Sequence, residues 1–445
     1  MRQTMEINLI KEKPAKAILR FAIPLILANL FFQLYETVDT IIVGRYNGDA
    51  ALAAVGASFA VTMVMIAFAT GTGTGCAVLI SRYFGGERKS EVKTSVSTVL
   101  IFSFLFSVFI AVMGIVFSRP LLILLATPDN IIGDAAAYLA IYSMGMPFAF
   151  LYNVQSSIFS AFGNSKMSLF LLMLSSVMNI GLDFLLVGRF AMGVEGAAVA
   201  TVAAQGFAFV VSFVLLIRYV YGSENFKEVR YQYFSFSILK EMMSYMAVSV
   251  FQSSITSIGL LLVQSVVNPF GSDILAGYIA GNKIDSFAIV PFMACGNALA
   301  TYTSQNIGAG KSERVRQGYR ACLMLCGGIG ILILSVILLF RFSLIGFYLR
   351  PETSSPEALQ TAVTYITQMS VFYILMGVTS SQSGMIRGEG RLTILFWNCI
   401  ISLVVRVGFA FTMVHVIGVS AVWLSLPAGW IVSILYCKVR MKRAG

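Results

Sequence analysis

The chain has 445 residues, 58% of them hydrophobic and 11% charged, with 31 Lys and Arg against 20 Asp and Glu. A soluble domain carries roughly 25% charged residues, so there are too few charges here to cover a water-exposed surface. The basic excess forms no stripe with interleaved aromatics of the kind that single-strand binding needs, which argues against nucleic acid as a partner.

Met1 to Arg20 is polar and charged, with no short apolar region or small-residue cleavage site, so no cleaved signal peptide is expected. Beyond it the chain is a succession of apolar runs. A spanning helix needs about 20 mostly apolar residues. Twelve runs meet that need: 20–43, 52–80, 98–118, 135–161, 167–187, 194–219, 242–267, 276–304, 319–341, 359–386, 392–414 and 416–437. Polar Asn282, Lys283 and Asp285 stand near the start of the eighth, and Gly418 marks the turn before the last.

An even number of spans puts both termini on one side. On that side lie 24 of the 31 basic residues, whereas the opposite loops hold only Arg45, Arg119, Arg189, Arg341 and Arg350. By the positive-inside rule both termini are cytoplasmic, and the expectation is a multi-pass protein of the inner membrane.

The chain also repeats itself. YFGGERKSEV after the second run resembles NIGAGKSERV after the eighth, FGNSKMSLF near 162 resembles RGEGRLTIL near 387, and RFAMGVEGAAV near 189 resembles HVIGVSAVW near 415. Three matches in the same order at a nearly constant offset indicate a duplication. The expected fold is an all-α integral membrane protein of twelve transmembrane helices in two pseudo-symmetric six-helix lobes. Its expected parts are an N-terminal lobe over 1–219, a cytoplasmic linker over 220–241 and a C-terminal lobe over 242–445. Each half has an even number of spans, so the halves enter from the same side. One half rocking against the other is a transporter architecture.

Charges inside a bilayer are costly and point to function by default. In the first half they are Glu36, Asp39 and Asp183; in the second, Lys283, Asp285 and Arg406. Glu36 and Asp39 are three apart and share a helix face. Asn179 lies one turn before Asp183, and Thr201 sits in the next run. These are hard oxygen donors, suited to a small cation or a proton. The plainer reading is an interhelical hydrogen-bond cluster. Against it, the duplicated positions, about Leu262, Val404, Gly408 and Leu426, are apolar, so the repeat does not need the cluster to fold. For Lys283, Asp285 and Arg406 the plain reading is structural, such as an ion pair of Asp285 with Arg406; a role in transport or gating is the alternative.

Other signals carry less. GTGTG inside the second run has no strand before it and reads as close helix packing, not a nucleotide loop. The six cysteines form no C-x-x-C pair and read as small core residues. His415 is the only histidine, so no nucleophile–base–acid set can be built, and neither an enzyme nor a cofactor is expected.

FAIPLILANLFFQLYETVDTIIVGRYNGDAALAAVG, NIGLD, GVEGAAVATV, GNKIDSFAIVPFMACGNALATYTSQNIGAGK and GMIRGEGR together resemble the multidrug and toxic compound extrusion (MATE) family, over nearly the whole chain. The details are most similar to its DinF-like branch. The resemblance implies a V-shaped pair of lobes that exchanges Na⁺ or H⁺ for amphipathic, often cationic, drugs. It implies an ion site at Asp39, Asn179, Asp183 and Thr201, a neighbouring aromatic at Tyr35 and a helix-bending proline at Pro24. The other large branch uses carboxylates in its seventh and tenth helices. Here 242–267 has Gln252 near that place and no acid, and 358–388 has none. Glu36 stands where the resemblance leads one to expect a neutral polar residue, and would add a protonatable group. Tyr35, Asn153, Gln252 and Gln264 are candidates for a substrate cavity. The expected partners are a small organic substrate and the bilayer, and the protein is expected to act as a monomer. A lipid-linked oligosaccharide flippase of the same superfamily is the alternative, although Lys283 and Arg406 are the only intramembrane cations for a basic cavity. A channel would need a polar row along one helix, and no run shows one.

Overall fold

A computed structural model describes residues 7–125, 127–222, 226, 229–349 and 354–443, without the side chains of 36, 40, 43, 47–50, 52, 60, 257, 260, 261, 264 and 443. Among these residues every regular element is helical. Helix α1, Pro14–Gly85, carries two spans, Pro14–Tyr46 and Val61–Gly85. Helix α2 is Lys89–Leu124; α3, Ile132–Met144, and α4, Met146–Ala161, are bent by 50° to each other at Gly145. Helix α5, Ser165–Asp183, runs into a π-helical turn, Phe184–Arg189, before α6, Gly193–Val220. The second half follows as α7 (Phe236–Val267), α8 (Ser272–Gly308), α9 (Ser312–Gly346), α10 (Pro356–Glu389), α11 (Leu392–Ile417) and α12 (Ser420–Arg443). Among the described residues, ten segments are long and apolar enough to cross a membrane alone, and the bent pair passes that test only when its two helices are taken together. The 32-residue α7 lies between α6 and α8 in the chain.

Local chemistry sets the ends. The Asn164 side chain accepts from the Met167 N–H at 3.1 Å and so caps α5. Ser355 caps α10 in the same way, with Pro356 as its first residue. Gly390, at φ 80°, closes α10, and Gly418, at φ 62°, separates α11 from α12 where the sequence places the turn. Along α2 the polarity is inverted relative to a soluble helix. Ser103, Ser107, Ala111 and Ser118 are buried, while Phe104, Leu105, Phe109 and Val116 are exposed. A stripe of small residues lets helices approach closely, and the large apolar side chains meet lipid.

The helices form two compact units: residues 1–7 with 27–253, and residues 8–26 with 254–445. Their boundaries fall inside α1 and α7, not at the ends of the sequence-defined lobes, and the linker belongs with the first unit. In that unit a Cβ on Gly71 or Gly75 would collide with the backbone of Val250 or Met246 in α7, and one on Gly73 with Ser157 in α4. The GTGTG segment is therefore a packing surface, as the sequence suggests. The start of α2 holds the linker: Lys93 Nζ donates to the Phe226 carbonyl at 2.8 Å, and its ammonium lies 5.4 and 4.8 Å from the rings of Tyr221 and Tyr231. Burial pushes the Tyr221 phenol up to about 12, so that ring stays neutral beside the cation. Backbone N–H groups of Gln232 and Ser235 donate to Thr94 and Thr98.

In the second unit α8 and α10 meet along glycines. Gly277 and Gly281 on α8, and Gly384 and Gly388 on α10, leave no room for a Cβ against the facing helix. The chain start also belongs here: Asn306 and Arg314 both donate to the Leu9 carbonyl, at 3.1 and 3.3 Å.

Candidate functional site

The first unit brings together the four residues that the sequence singles out as an ion site. Asp39 comes from the Pro14–Tyr46 span, Asn179 and Asp183 from the end of α5, and Thr201 from α6. Asp183 is the last α-helical residue before the π turn, and π segments recur where a helix re-aims side chains at a functional site. Asn179 Nδ2 donates to Thr201 Oγ1 at 3.3 Å, and Thr201 Oγ1 donates to the Ala197 carbonyl at 3.0 Å. The threonine thus turns the amide so that its nitrogen is used and its oxygen is left over. The carboxylates of Asp39 and Asp183 interact electrostatically with each other.

What remains is a set of buried oxygens without donors: Asp39 Oδ1, Asn179 Oδ1 and both oxygens of Asp183, the last residue being fully buried. The ion pairs among the described residues lie elsewhere, at Arg20–Glu12, Arg88–Glu91 and Arg391–Glu389. A buried unpaired carboxylate is costly, and two facing each other repel. A small cation removes both penalties, and carboxylate, amide and hydroxyl oxygens are the ligands that Na⁺ or H⁺ accepts. The residues present fit such an ion.

The other sequence candidates are dispersed. Tyr35 is one turn before Asp39, its ring edge-on to Phe32 at 5.7 Å. Asn153 on α4 donates back to its own helix at Ala149, 2.8 Å, and Gln252 is half-buried on α7. Pro24 is buried within α1 in the stretch that belongs to the second unit. The side chains of Glu36 and Gln264 lie outside the described residues.

In the second unit the suggested pairing of Asp285 with Arg406 is not found. Both are buried, at 7% and 8% exposure, yet no ion pair joins them. Asp285 Oδ1 accepts instead from the Tyr373 hydroxyl at 2.6 Å, and Arg406 Nε has no partner. The physical reason is reach: Tyr373 on α10 faces α8 across the glycine seam, whereas Arg406 comes from α11. Lys283 is exposed, two residues from Asp285 and on another face. Sequence reasoning missed Tyr373, Tyr365 and Tyr278. The signal was their hydroxyls, which need partners when a span buries them.

A duplicated chain with at least ten helices long and apolar enough to cross a membrane among the described residues, and a buried oxygen site in its first half, defines a polytopic membrane transporter. The MatE family model matches residues 24–185 and again 248–412, and the chain belongs to that family. A model that matches twice is what a duplicated chain produces. The chain is 30% identical to the probable multidrug resistance protein YoeA of Bacillus subtilis over 439 residues, covering 96% of this chain and 93% of the relative. It is 28% identical to the probable multidrug resistance protein YpnP of the same organism, covering 88% and 87%. A solved MOP superfamily transporter from Pyrococcus furiosus shares the fold with a TM-score of 0.89 at 24% identity, covering 99% of both chains.

Proposed function

We propose that this protein is a secondary active antiporter that exports amphipathic, cationic drug-like compounds in exchange for H⁺ or Na⁺, and that it belongs to the DinF-like branch. The observation that carries this reading is the buried, donor-free oxygen set of Asp39, Asn179 and Asp183 in the first unit. The relatives named as multidrug resistance proteins support the substrate class. Asp39, Asn179 and Asp183 bind the ion through their free oxygens, while Thr201 holds the Asn179 amide by its nitrogen. Ion and drug stabilise different conformations, which is how a coupling free energy arises between them. The protein works as a monomer in the inner membrane with both termini cytoplasmic.

The test is export of a fluorescent cationic dye from liposomes containing the purified protein, with Na⁺ and pH gradients imposed separately. Dye movement driven by one gradient and lost in Asp39→Asn is the expected result and names the ion. An Asp39→Asn protein that transports normally would sink the first-unit mechanism. No dye movement under either gradient, with folded and oriented protein, would turn the reading towards a lipid-linked oligosaccharide flippase.

A further inference from the structure

Asp285 is an acid that the proposed mechanism does not use. It lies on α8 with Tyr278; Tyr365 and Tyr373 face it from α10, and Arg406 from α11. All five are buried, with Tyr365 at 1% and Tyr373 at 0% exposure. The Tyr373 hydroxyl donates to Asp285 Oδ1 at 2.6 Å, and the Tyr365 ring packs on Gly281, one turn before Asp285 on α8, where a Cβ would stand 2.8 Å from it. Tyr278 accepts from Asn282 Nδ2 at 3.3 Å and stacks edge-on to Tyr365 at 5.7 Å. Tyr365 in turn packs on Trp423, whose indole N–H donates to Gln368 at 2.7 Å. The tyrosine cage is thus itself held rigidly.

This cage combines an acid and a base that do not touch. A carboxylate and a guanidinium buried in one apolar cluster each lose their hydration, and contact between them is the usual compensation. Here the contact is absent, and Arg406 Nε stays unpartnered. Gly259 leaves space beside the guanidinium: a Cβ there would stand 3.4 Å from Arg406 Nη1. Two arrangements relieve the cluster. In one, Asp285 carries a proton and needs no counter-charge. In the other, Asp285 is ionised and Arg406 supplies the charge. A metal ion fits neither, because one carboxylate among phenols offers too few hard ligands and the guanidinium repels it. A proton is the cation that the site accepts.

The duplication supports a specific role. With the offset of the repeat, Asp285, Tyr365, Tyr373 and Arg406 fall near Thr62, Ala140, Phe148 and Gly181 in the first half. The fold of a half therefore does not call for this cluster, any more than it calls for the one around Asp183.

We propose that the second unit holds a proton-binding site of its own, in which Asp285 is held by the Tyr373 hydroxyl, with Tyr365 packed one turn away, and Arg406 is the counter-charge to the deprotonated acid. The step is reversible binding: one proton from water joins a carboxylate oxygen and is later returned to water. The proton binding stands on this geometry alone, while its part in transport rests on the antiporter reading.

The experiment is infrared difference spectroscopy of the full-length protein in lipid bilayers, titrated in pH with no gradient and no drug. A band of a protonated buried carboxyl should appear and disappear with pH. It should be lost in Asp285→Asn, retained in Asp39→Asn, displaced in frequency in Tyr373→Phe and displaced in titration midpoint in Arg406→Gln. The last two variants keep the acid in place, so the test survives if Asp285→Asn fails to fold. If all titrating carboxyl signal vanishes in variants of Asp39 and Asp183, and none responds to Tyr373→Phe or Arg406→Gln, the proposal is wrong. A protein that shows the Asp285 band yet moves no dye would keep this site and overturn the antiporter reading instead.

Discussion

Each half of this duplicated chain buries one acidic cluster, and the two are built on opposite principles. Around Asp39 and Asp183 the surplus is of acceptors: oxygens from two helices, α1 and α5, are left with no donor to satisfy them. Around Asp285 the surplus is of donors, two phenols and a guanidinium about a single carboxylate. The first arrangement is incomplete until a cation enters. The second already satisfies its acid and can only exchange one form of satisfaction for another. Inherited architecture does not decide which chemistry a half adopts, since each cluster faces apolar or small residues at the duplicated positions of the other half.

That contrast can be broken or sharpened by substitution. The largest effect is expected for Asp183→Asn. It should lower gradient-driven dye export by about 100-fold, the upper end of ordinary site coupling, in protein that inserts and melts as the parent does. Transport within threefold of the parent would erase the distinction. Asn179→Leu removes one ligand oxygen and the partner of Thr201 while leaving both acids. The apparent affinity for the coupling ion should weaken by about 10-fold, roughly the loss of one charge-assisted contact. Asp285→Asn should cost only about threefold in export at the best pH, with the pH profile displaced, because its acid is a satisfied one. A complete loss there would move the main coupling site into the second unit. Smallest is Lys93→Met in the linker mount, outside both clusters. A loss of about 1–2 kcal/mol in stability from the missing hydrogen bond and ring contacts should leave the transport rate unchanged.

The acceptor-rich site was legible in the sequence because an acid is conspicuous in an apolar run, and because the repeat supplied a control. Asn179 and Asp183, four apart on a helix, had to share a face. Tyr373 could not be found that way. A tyrosine in a span is common, and it lies 88 residues from Asp285, so only packing of α10 on α8 reveals the pair. Lys93 was likewise counted as a loop charge that sets orientation, whereas its side chain is buried between two tyrosine rings. Hydropathy reports which residues leave water. It does not report which neighbours they meet, and for the same reason the 50° bend at Gly145 left no trace in the apolar pattern.

The same limit hid the membership of α1 and α7, which has a consequence for the history and engineering of the chain. Residues 8–26 open the first half but belong to the second unit, and residues up to 253, which open the second half, belong to the first. The two boundaries fall at nearly corresponding places in the repeat. Each half has thus lent the beginning of its first helix to the other, as in a domain-swapped dimer whose protomers have been joined end to end. A fragment of 1–219 made alone would hold Leu9 and Glu12 without Asn306 and Arg314. One of 242–445 would hold Met246 and Val250 without Gly75 and Gly71. Neither half carries all the residues of one unit, so a gene split in the linker should yield stable protein only when both pieces are synthesised together.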